Sequence, residues 1–227
     1  MTLYAGCDLH STNSFWGIID ETGKRVFSKK LPNSPEKILT SIEPFRPQLA
    51  GIAVESTYNW YWLVDLLMDE GFTVQLANPA AMQKYSGLKY SDDKHDSFWL
   101  AEMLKLGILP QGYIYPKEDR PTRDLCRKRL QLVDMRTVII LSLKSMIARN
   151  IGKRISAENI KKLPQEDITE MLSGHEDLML RAAMDKVAID NFSGQIKFVE
   201  SSLKNKIKSN TKYLNLMTMP GIGPILS

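Results

Sequence analysis

Five acidic side chains stand where carboxylates can do chemistry together. Asp8 closes the apolar run Leu3 to Leu9, and Glu55 closes a second, Leu49 to Val54. Asp92, Asp93 and Asp96 follow at the opening of a helical stretch, with Asp93 and Asp96 three residues apart and so on one helix face. Carboxylates gathered this closely repel one another without a counter-charge, which implies a hard divalent cation. Oxygen ligands without Cys/His clusters favour Mg²⁺ or Mn²⁺ over zinc. Two such ions roughly 3.5–4 Å apart suit phosphoryl transfer, one activating the attacking oxygen and one stabilising the leaving oxygen. Taken singly, Asp92 or Asp93 could be helix caps and Asp96 a dipole partner. His10, two residues after Asp8, could touch metal, phosphate or a neighbouring carboxylate, or be a hydrogen-bonded structural histidine. His95 should face solvent.

The elements that must position these acids are readable from apolar patterning. Leu3 to Leu9, Ser14 to Ile19 and Arg25 to Leu31 read as strands, with Asp20-Glu21-Thr22-Gly23 as a turn. Their short spacers predict an antiparallel meander, because parallel neighbours need a longer crossover. Pro35 to Ile42 is a helix with Ser34 as N-cap and Pro35 at its first position. A strand over 49–55 follows, then a helix from Tyr58 to Glu70 stopped by Gly71, a strand from Phe72 to Ala77, and a helix opened by Pro79. Asp92 to Leu106 is helical, with Phe98, Leu100, Ala101, Leu104 and Leu106 as its apolar positions and Gly107 as its stop. This order predicts an α/β fold, ribonuclease H-like (RuvC-like), with a mixed five-stranded sheet and flanking helices. The aromatic residues Tyr58, Trp60, Tyr61 and Trp62 read as core and rim packing, with a base-stacking contact as the alternative.

Charge divides the chain of 227 residues. Residues 1–119 carry 11 basic and 15 acidic side chains, net −4; residues 120–162 carry 12 and 3, net +9; residues 163–227 carry 7 and 8, net −1. The acidic part suits a metal and the basic part a polyanion. Arg120, Arg123, Arg127, Lys128, Arg129, Arg136, Lys144, Arg149, Lys153 and Arg154 are the candidates for phosphate contact. A merely solvated helix face is the alternative. Leu125, Leu132, Ile139 and Met146 recur every seven residues. Leu178, Ala182, Asp185, Ile189, Phe192, Ile196, Val199 and Leu203 alternate steps of four and three, broken in character only by Asp185. These seams predict long helices that pair either with each other or with another subunit.

No apolar run reaches the ~18 residues of a membrane span, and no secretory signal opens the chain, so a cytoplasmic setting is expected. Cys7 and Cys126 have no metal-ligand spacing, and two cysteines are too few for a disulfide scaffold. Near the end, Met219-Pro220-Gly221-Ile222-Gly223-Pro224 is similar to the hairpin of a helix-hairpin-helix module, whose glycines admit a phosphate to the backbone; an ordinary turn is the alternative. The sequence stops where the second helix of such a module would begin, and truncation is the expectation.

Cys7-Asp8-Leu9-His10, Val54-Glu55-Ser56-Thr57, Lys89-Tyr90-Ser91-Asp92-Asp93-Lys94-His95-Asp96 and Met219 to Pro224, in this order, resemble the DEDD-type transposases of bacterial insertion sequences, a group that includes the Piv-type DNA invertases. The resemblance runs over essentially the whole chain. It implies a catalytic and metal-binding tetrad of Asp8, Glu55, Asp93 and Asp96. The family has one acid before the two-residue gap where this chain has Asp92 and Asp93, and spacing to Asp96 favours Asp93. The fourth acid is usually followed by alanine, whereas Ser97 follows here. The resemblance further implies a RuvC-like domain over 1–118, a basic coiled-coil region over 119–210 and, from 211, the start of a C-terminal domain that supplies a catalytic serine; Ser227 is not that serine. Its implied partners are donor and target DNA, a structured non-coding guide RNA and further copies of the chain, as a dimer or tetramer. A Holliday-junction-resolvase-like nuclease and a non-catalytic nucleic-acid-binding fragment are the competing readings.

Overall fold

The computed structural model describes residues 1–82, 93–207 and 211–220. Asp92 and the glycine turn at 221–224 therefore lie outside the described residues. The chain divides into two compact units, Met1–Ile114 and Tyr115–Ser227.

In the first unit three antiparallel strands lead: β1 (Leu3–Leu9), β2 (Asn13–Asp20) and β3 (Arg25–Pro32). The β2–β3 turn is held by the Asp20 carboxylate. It accepts the Thr22 hydroxyl at 2.6 Å and the backbone N–H groups of Thr22 and Lys24 at 2.9 and 3.0 Å. Helix α1 (Pro35–Ile42) begins with proline, as expected; Ser34 occupies its N-cap position in extended backbone, but its side chain makes no cap hydrogen bond. Strand β4 (Leu49–Glu55) then pairs with β1 in parallel, α2 (Tyr61–Asp69) crosses over, and β5 (Val74–Ala77) adds in parallel to β4. The sheet is mixed and five-stranded, in the order β3-β2-β1-β4-β5. A single turn, α3 (Pro79–Met82), and α4 (Asp93–Lys105) follow.

Period-two alternation gives each face of the sheet its own core. Leu3, Ala5, Cys7 and Leu9 of β1 join Trp16, Ile52, Val54 and the apolar sides of α1 and α2. On the opposite face α4 covers the sheet with Leu100, Met103 and Leu104 against Ala53 and Ala77, and with Phe98 and Ala101 against Ile19. Leu106, expected in that core, is 58 % exposed because α4 ends one residue earlier; Met103, at full burial, takes the role. Helix α2 starts three residues later than Tyr58, which projects into solvent, whereas Trp60 is buried and stacks edge-on to Tyr61.

The second unit is helical. α5 (Arg120–Ile151) and α8 (Glu176–Ile207) are 32 residues each, with two short helices, α6 (Ala157–Lys162) and α7 (Gln165–Glu170), between them; α9 (Thr211–Met217) follows. α5 and α8 pack on each other in opposite directions. Arg129 meets Glu200 at 2.7 Å, Arg136 donates to the Ser193 hydroxyl at 3.2 Å, and Arg181 donates to the Ser142 hydroxyl at 2.9 Å. Leu132 packs with Ile196, Val199 and Leu203, while Leu143, Met146 and Ile147 pack with Ala182 and Ile189. The two sequence seams thus meet within one chain. Asp185 sits in the seam half-buried, its Oδ2 3.9 Å from Arg181 Nε; burial pushes its carboxyl above the usual range more than Arg181 pulls it down.

Two outcomes test this packing. Gly6→Ala should cost about 3 kcal/mol or more in urea unfolding, because a Cβ there would sit 1.9 Å from the Ser97 carbonyl oxygen and 2.7 Å from the Ala101 nitrogen, both backbone atoms; wild-type stability would contradict the packing of α4 on β1. The Thr22 and Lys24 hydrogen bonds hold the Asp20 carboxyl below its ordinary range. A lowered acid stabilises the fold above its unfolded pKa, about 3.9, and loses that contribution as pH falls through the folded value. An acid titration of Asp20→Asn should therefore show a shallower stability loss below about pH 4 than wild type.

Candidate active site

The geometry of the acids follows from register. Cys7 pairs with Val54, so the next residues, Asp8 and Glu55, leave the ends of adjacent parallel strands side by side. Asp8 shares the face of Gly6, and Glu55 the face of Ala53. This is one face, and α4 covers it: the Ser97 carbonyl and Ala101 nitrogen lie on Gly6, and Leu100 packs with Ala53. α4 runs antiparallel to β1 and β4. Leu104 lies over Gly51, which pairs with Tyr4 near the start of β1, and Ser97 lies over Gly6, two residues further along β1. The first turn of α4, which carries Asp93 and Asp96, therefore points to the strand ends that carry Asp8 and Glu55.

Asp8 is 4 % exposed, and Glu55 and Asp96 are half-buried. Asp96 stands one turn before Leu100 and two before Met103, in the stripe that covers Ala53 and Ala77. Asp93 is the first residue of α4; its side chain lies outside the described residues. His95 is exposed. His10 turns to the acid, with its Nε2 3.2 Å from Asp8 Oδ2.

Residues that the sequence did not single out brace this end of the sheet. The His10 carbonyl accepts the side-chain amides of Asn33 at 2.9 Å and Asn59 at 3.1 Å, and the His10 N–H donates to the Asn13 carbonyl at 2.9 Å. Asn59 in turn receives the Thr57 hydroxyl at 2.9 Å, and Thr57 N–H returns to the Glu55 carbonyl at 2.9 Å. The loops after β1 and β4 are thus tied together behind the two acids. Asn59 and Asn33 lie 49 and 23 residues from His10, a separation at which no local pattern could have marked them. Ser97 has a physical reason to be small. It is wholly buried, its carbonyl oxygen rests on Gly6, and its Oγ would lie 2.9 Å from a Cβ at Gly17.

The carboxylates are felt through the sheet. Cys7 points to the other face, fully buried; burial pushes its thiol well up, Asp8 and Glu55 push it the same way, and the Ser14 hydroxyl opposes them. Among the described residues no three acidic, His or Cys side chains already surround one point. The donor chemistry nonetheless fits a hard divalent cation. A carboxylate buried to this degree needs a counter-charge or hydrogen bonds, and a second acid leaves the neighbouring strand on the same face.

The ten basic candidates separate by environment. Arg120 is buried and donates through Nε to the Tyr115 carbonyl at 2.8 Å, so this expected phosphate contact instead fastens the start of α5. Arg129 and Arg136 are engaged with α8, and Arg123 lies over the Tyr115 ring, 4.6 Å from its centre. Arg127, Lys128, Arg149, Lys153 and Arg154 are exposed and Lys144 half-exposed. No described helix is long and apolar enough to cross a membrane.

The family model for IS110-type DEDD transposases, described as "Transposase", matches residues 5–149, more than half of the chain. The chain belongs to this transposase family. The match takes in Asp8, Glu55, Asp93 and Asp96, the sheet apart from Leu3 and Tyr4 of β1, and nearly all of α5. Membership makes DNA recombination the class of activity and DNA a partner, and divalent metal ions are typical of the family. A search of curated proteins finds no match to this sequence.

Burial of Cys7 and exposure of Cys126 give a direct check on the strand that carries Asp8. Ellman's reagent should titrate one thiol quickly in the native transposase chain and a second only in denaturant, and Cys126→Ser should abolish the fast one. A fast native reaction at Cys7 would contradict the burial of β1.

Proposed function

We propose that the chain is the acidic catalytic portion and helical region of an insertion-sequence transposase that exchanges strands between donor and target DNA under the direction of a structured non-coding RNA. The observation that carries this reading is the convergence of Asp8 and Glu55, on adjacent parallel strand ends, beneath the first turn of α4. The strand order β3-β2-β1-β4-β5, with β2 antiparallel to both neighbours, supports a ribonuclease H-like, RuvC-like catalytic domain.

In this reading Asp8, Glu55, Asp93 and Asp96 hold Mg²⁺ or Mn²⁺, two ions in all. Bound there, such a pair activates an attacking oxygen and stabilises a leaving one. His10 orients the Asp8 carboxylate, and the Asn33 and Asn59 amides fix His10 by its carbonyl. The attacking oxygen belongs to a serine of a C-terminal domain that begins near residue 211. The exposed cations of α5 and the segment after it gather the nucleic acid through its phosphates, without reading sequence. The protein works in the cytosol as a dimer or tetramer. Leu180, Met184, Val187 and Phe198, exposed on α8, supply an apolar stripe for that assembly.

The test is recombination of a paired donor and target by the protein with its C-terminal domain, with and without co-expressed flanking non-coding RNA, in wild type and Asp8→Ala. RNA-dependent product should fall by at least about a thousandfold in Asp8→Ala, the scale of losing a charge-stabilising group at a reacting phosphate. Full activity in Asp8→Ala would overturn the tetrad. Metal-dependent nicking of branched DNA by residues 1–227 alone would favour a resolvase-like nuclease with water as nucleophile.

A further inference from the structure

The cations of the second unit differ in whether a carboxylate holds them. Arg129 is bound by Glu200 at 2.7 Å, Lys161 and Lys162 by Glu158 at 2.7 and 3.3 Å, and Lys186 by Asp190. Between Asp134 and Glu158 there are five basic residues, Arg136, Lys144, Arg149, Lys153 and Arg154, and no acidic one. Two of them, Lys144 and Arg154, come together on an open pocket of about 400 Å³ that is also lined by Ser145, Ala148, Ile155 and Ser156.

The pocket is built rather than incidental. Gly152, at φ 66°, ends α5 and returns its N–H to the Ala148 carbonyl at 3.0 Å. Three residues on, Ile155 is 8 % exposed and anchored in the core with Ile147 and Ile160. Ser156 Oγ accepts the Asn159 N–H at 3.1 Å. Arg154 thus stands between fixed points and faces a helix that carries Lys144. The Ser156 hydroxyl oxygen is used as an acceptor, which leaves its proton to donate, and Ser145 offers a second hydroxyl. The polar side chains around the pocket are therefore two cations and two hydroxyls, over a floor of Ala148 and Ile155. Among the described residues neither Lys144 nor Arg154 has an acid partner, and cations so placed bind a phosphate oxyanion. The volume admits the attached sugar as well.

We propose that Lys144, Arg154, Ser145 and Ser156 form a pocket for a backbone phosphate of nucleic acid. Arg149 and Lys153, exposed beside it in sequence, extend the positive strip beyond the pocket, which suits a polymer of phosphates rather than a single ion. The pocket rests on the proposed function only in taking nucleic acid as its polyanion. It belongs to the second unit, and Arg154, Ile155 and Ser156 lie beyond the residues matched by the family.

The experiment is a fluorescence-anisotropy titration of a labelled random-sequence duplex with the 227-residue chain between roughly 50 and 200 mM salt. The Lys144→Gln, Arg154→Gln pair should weaken binding about tenfold and lower the salt slope by about 0.9, the value for the one phosphate no longer neutralised. Lys161→Gln with Lys162→Gln makes the same charge change at cations that Glu158 already holds and should weaken binding less than about twofold. Lys144→Arg with Arg154→Lys should restore binding, and unfolding midpoints of all variants establish that each is folded. At matched ionic strength, inorganic phosphate should displace the duplex better than chloride from wild type but not from the glutamine pair. Binding by the glutamine pair within twofold of wild type, or an equal loss in the Lys161, Lys162 control, overturns the pocket. Stabilisation by inorganic phosphate that needs Lys144 and Arg154, in a chain that binds no duplex, overturns the nucleic-acid assignment in favour of a free phosphate. Pocket-dependent duplex binding beside Asp8-independent recombination overturns the tetrad alone.

Discussion

Everything at the acidic end of the sheet depends on how closely α4 lies on β1. Gly6 has no side chain, so the backbone of Ser97 and Ala101 can come to where a Cβ would be. Gly17, opposite Gly6 on β2, gives the Phe98 ring and the Ser97 hydroxyl the same room. Steric permission at two glycines thereby sets the height of the helix above the sheet. The helix direction then sets which end of it meets the strand ends. Ser97, directly after Asp96, is part of the same constraint: it is wholly buried, and a larger side chain there would lift the first turn of α4 from the strand ends. Apolar packing a few residues away, where Leu100, Met103 and Leu104 cover Ala53 and Ala77, holds this helix on the sheet.

The second unit solves a different problem, how to keep two 32-residue helices together while leaving positive charge outside. Its apolar seam runs from Leu132 and Leu203 at one end to Ile147 and Ala182 towards the other. Arg129 and Arg136 use their charge inward, across the helix pair, and Arg120 uses its charge at the start of α5. Among the described residues Lys144, Arg149, Lys153 and Arg154 make no such contact across the pair, and Ile147, Ile155 and Ile160 hold the corner by apolar contact. Asp185 is the costly position in the seam, a carboxyl whose burial favours its neutral form.

Much of this is legible from local pattern. The runs that end in Asp8 and Glu55 are strands because continuous apolar segments of about seven residues bounded by turns suit buried strands. The helix stops expected at Gly71 and Gly107 fall at positive φ, 83° and 68°. The order of elements implies that β1 and β4 are neighbours, which the parallel pairing bears out. The departures have non-local causes. Tyr58 lies outside α2 because Thr57 and Asn59 are drawn into the loop that holds His10. Phe72 precedes β5 because Gly71 turns the chain there, although its ring still packs under the Arg46 guanidinium. In sequence Arg120 reads as the first of a row of phosphate contacts, but a carbonyl five residues upstream takes its guanidinium. The basic residues along a helix are alike in sequence; only the fold separates those that hold α8 from those that face outward.

In the proposed reading Asp8, Glu55 and the first turn of α4 make one cation site. Electron paramagnetic resonance of Mn²⁺ titrated into the 227-residue chain measures this without any DNA. Asp8→Asn and Asp96→Asn should each weaken binding at least about tenfold, the scale seen when a metal site's supporting groups are lost, and the double variant should lose little more, because both act on one site. Asp185→Asn should bind as wild type. Wild-type binding by Asp96→Asn, or additive losses from two independent sites, would contradict the convergence of α4 on the strand ends.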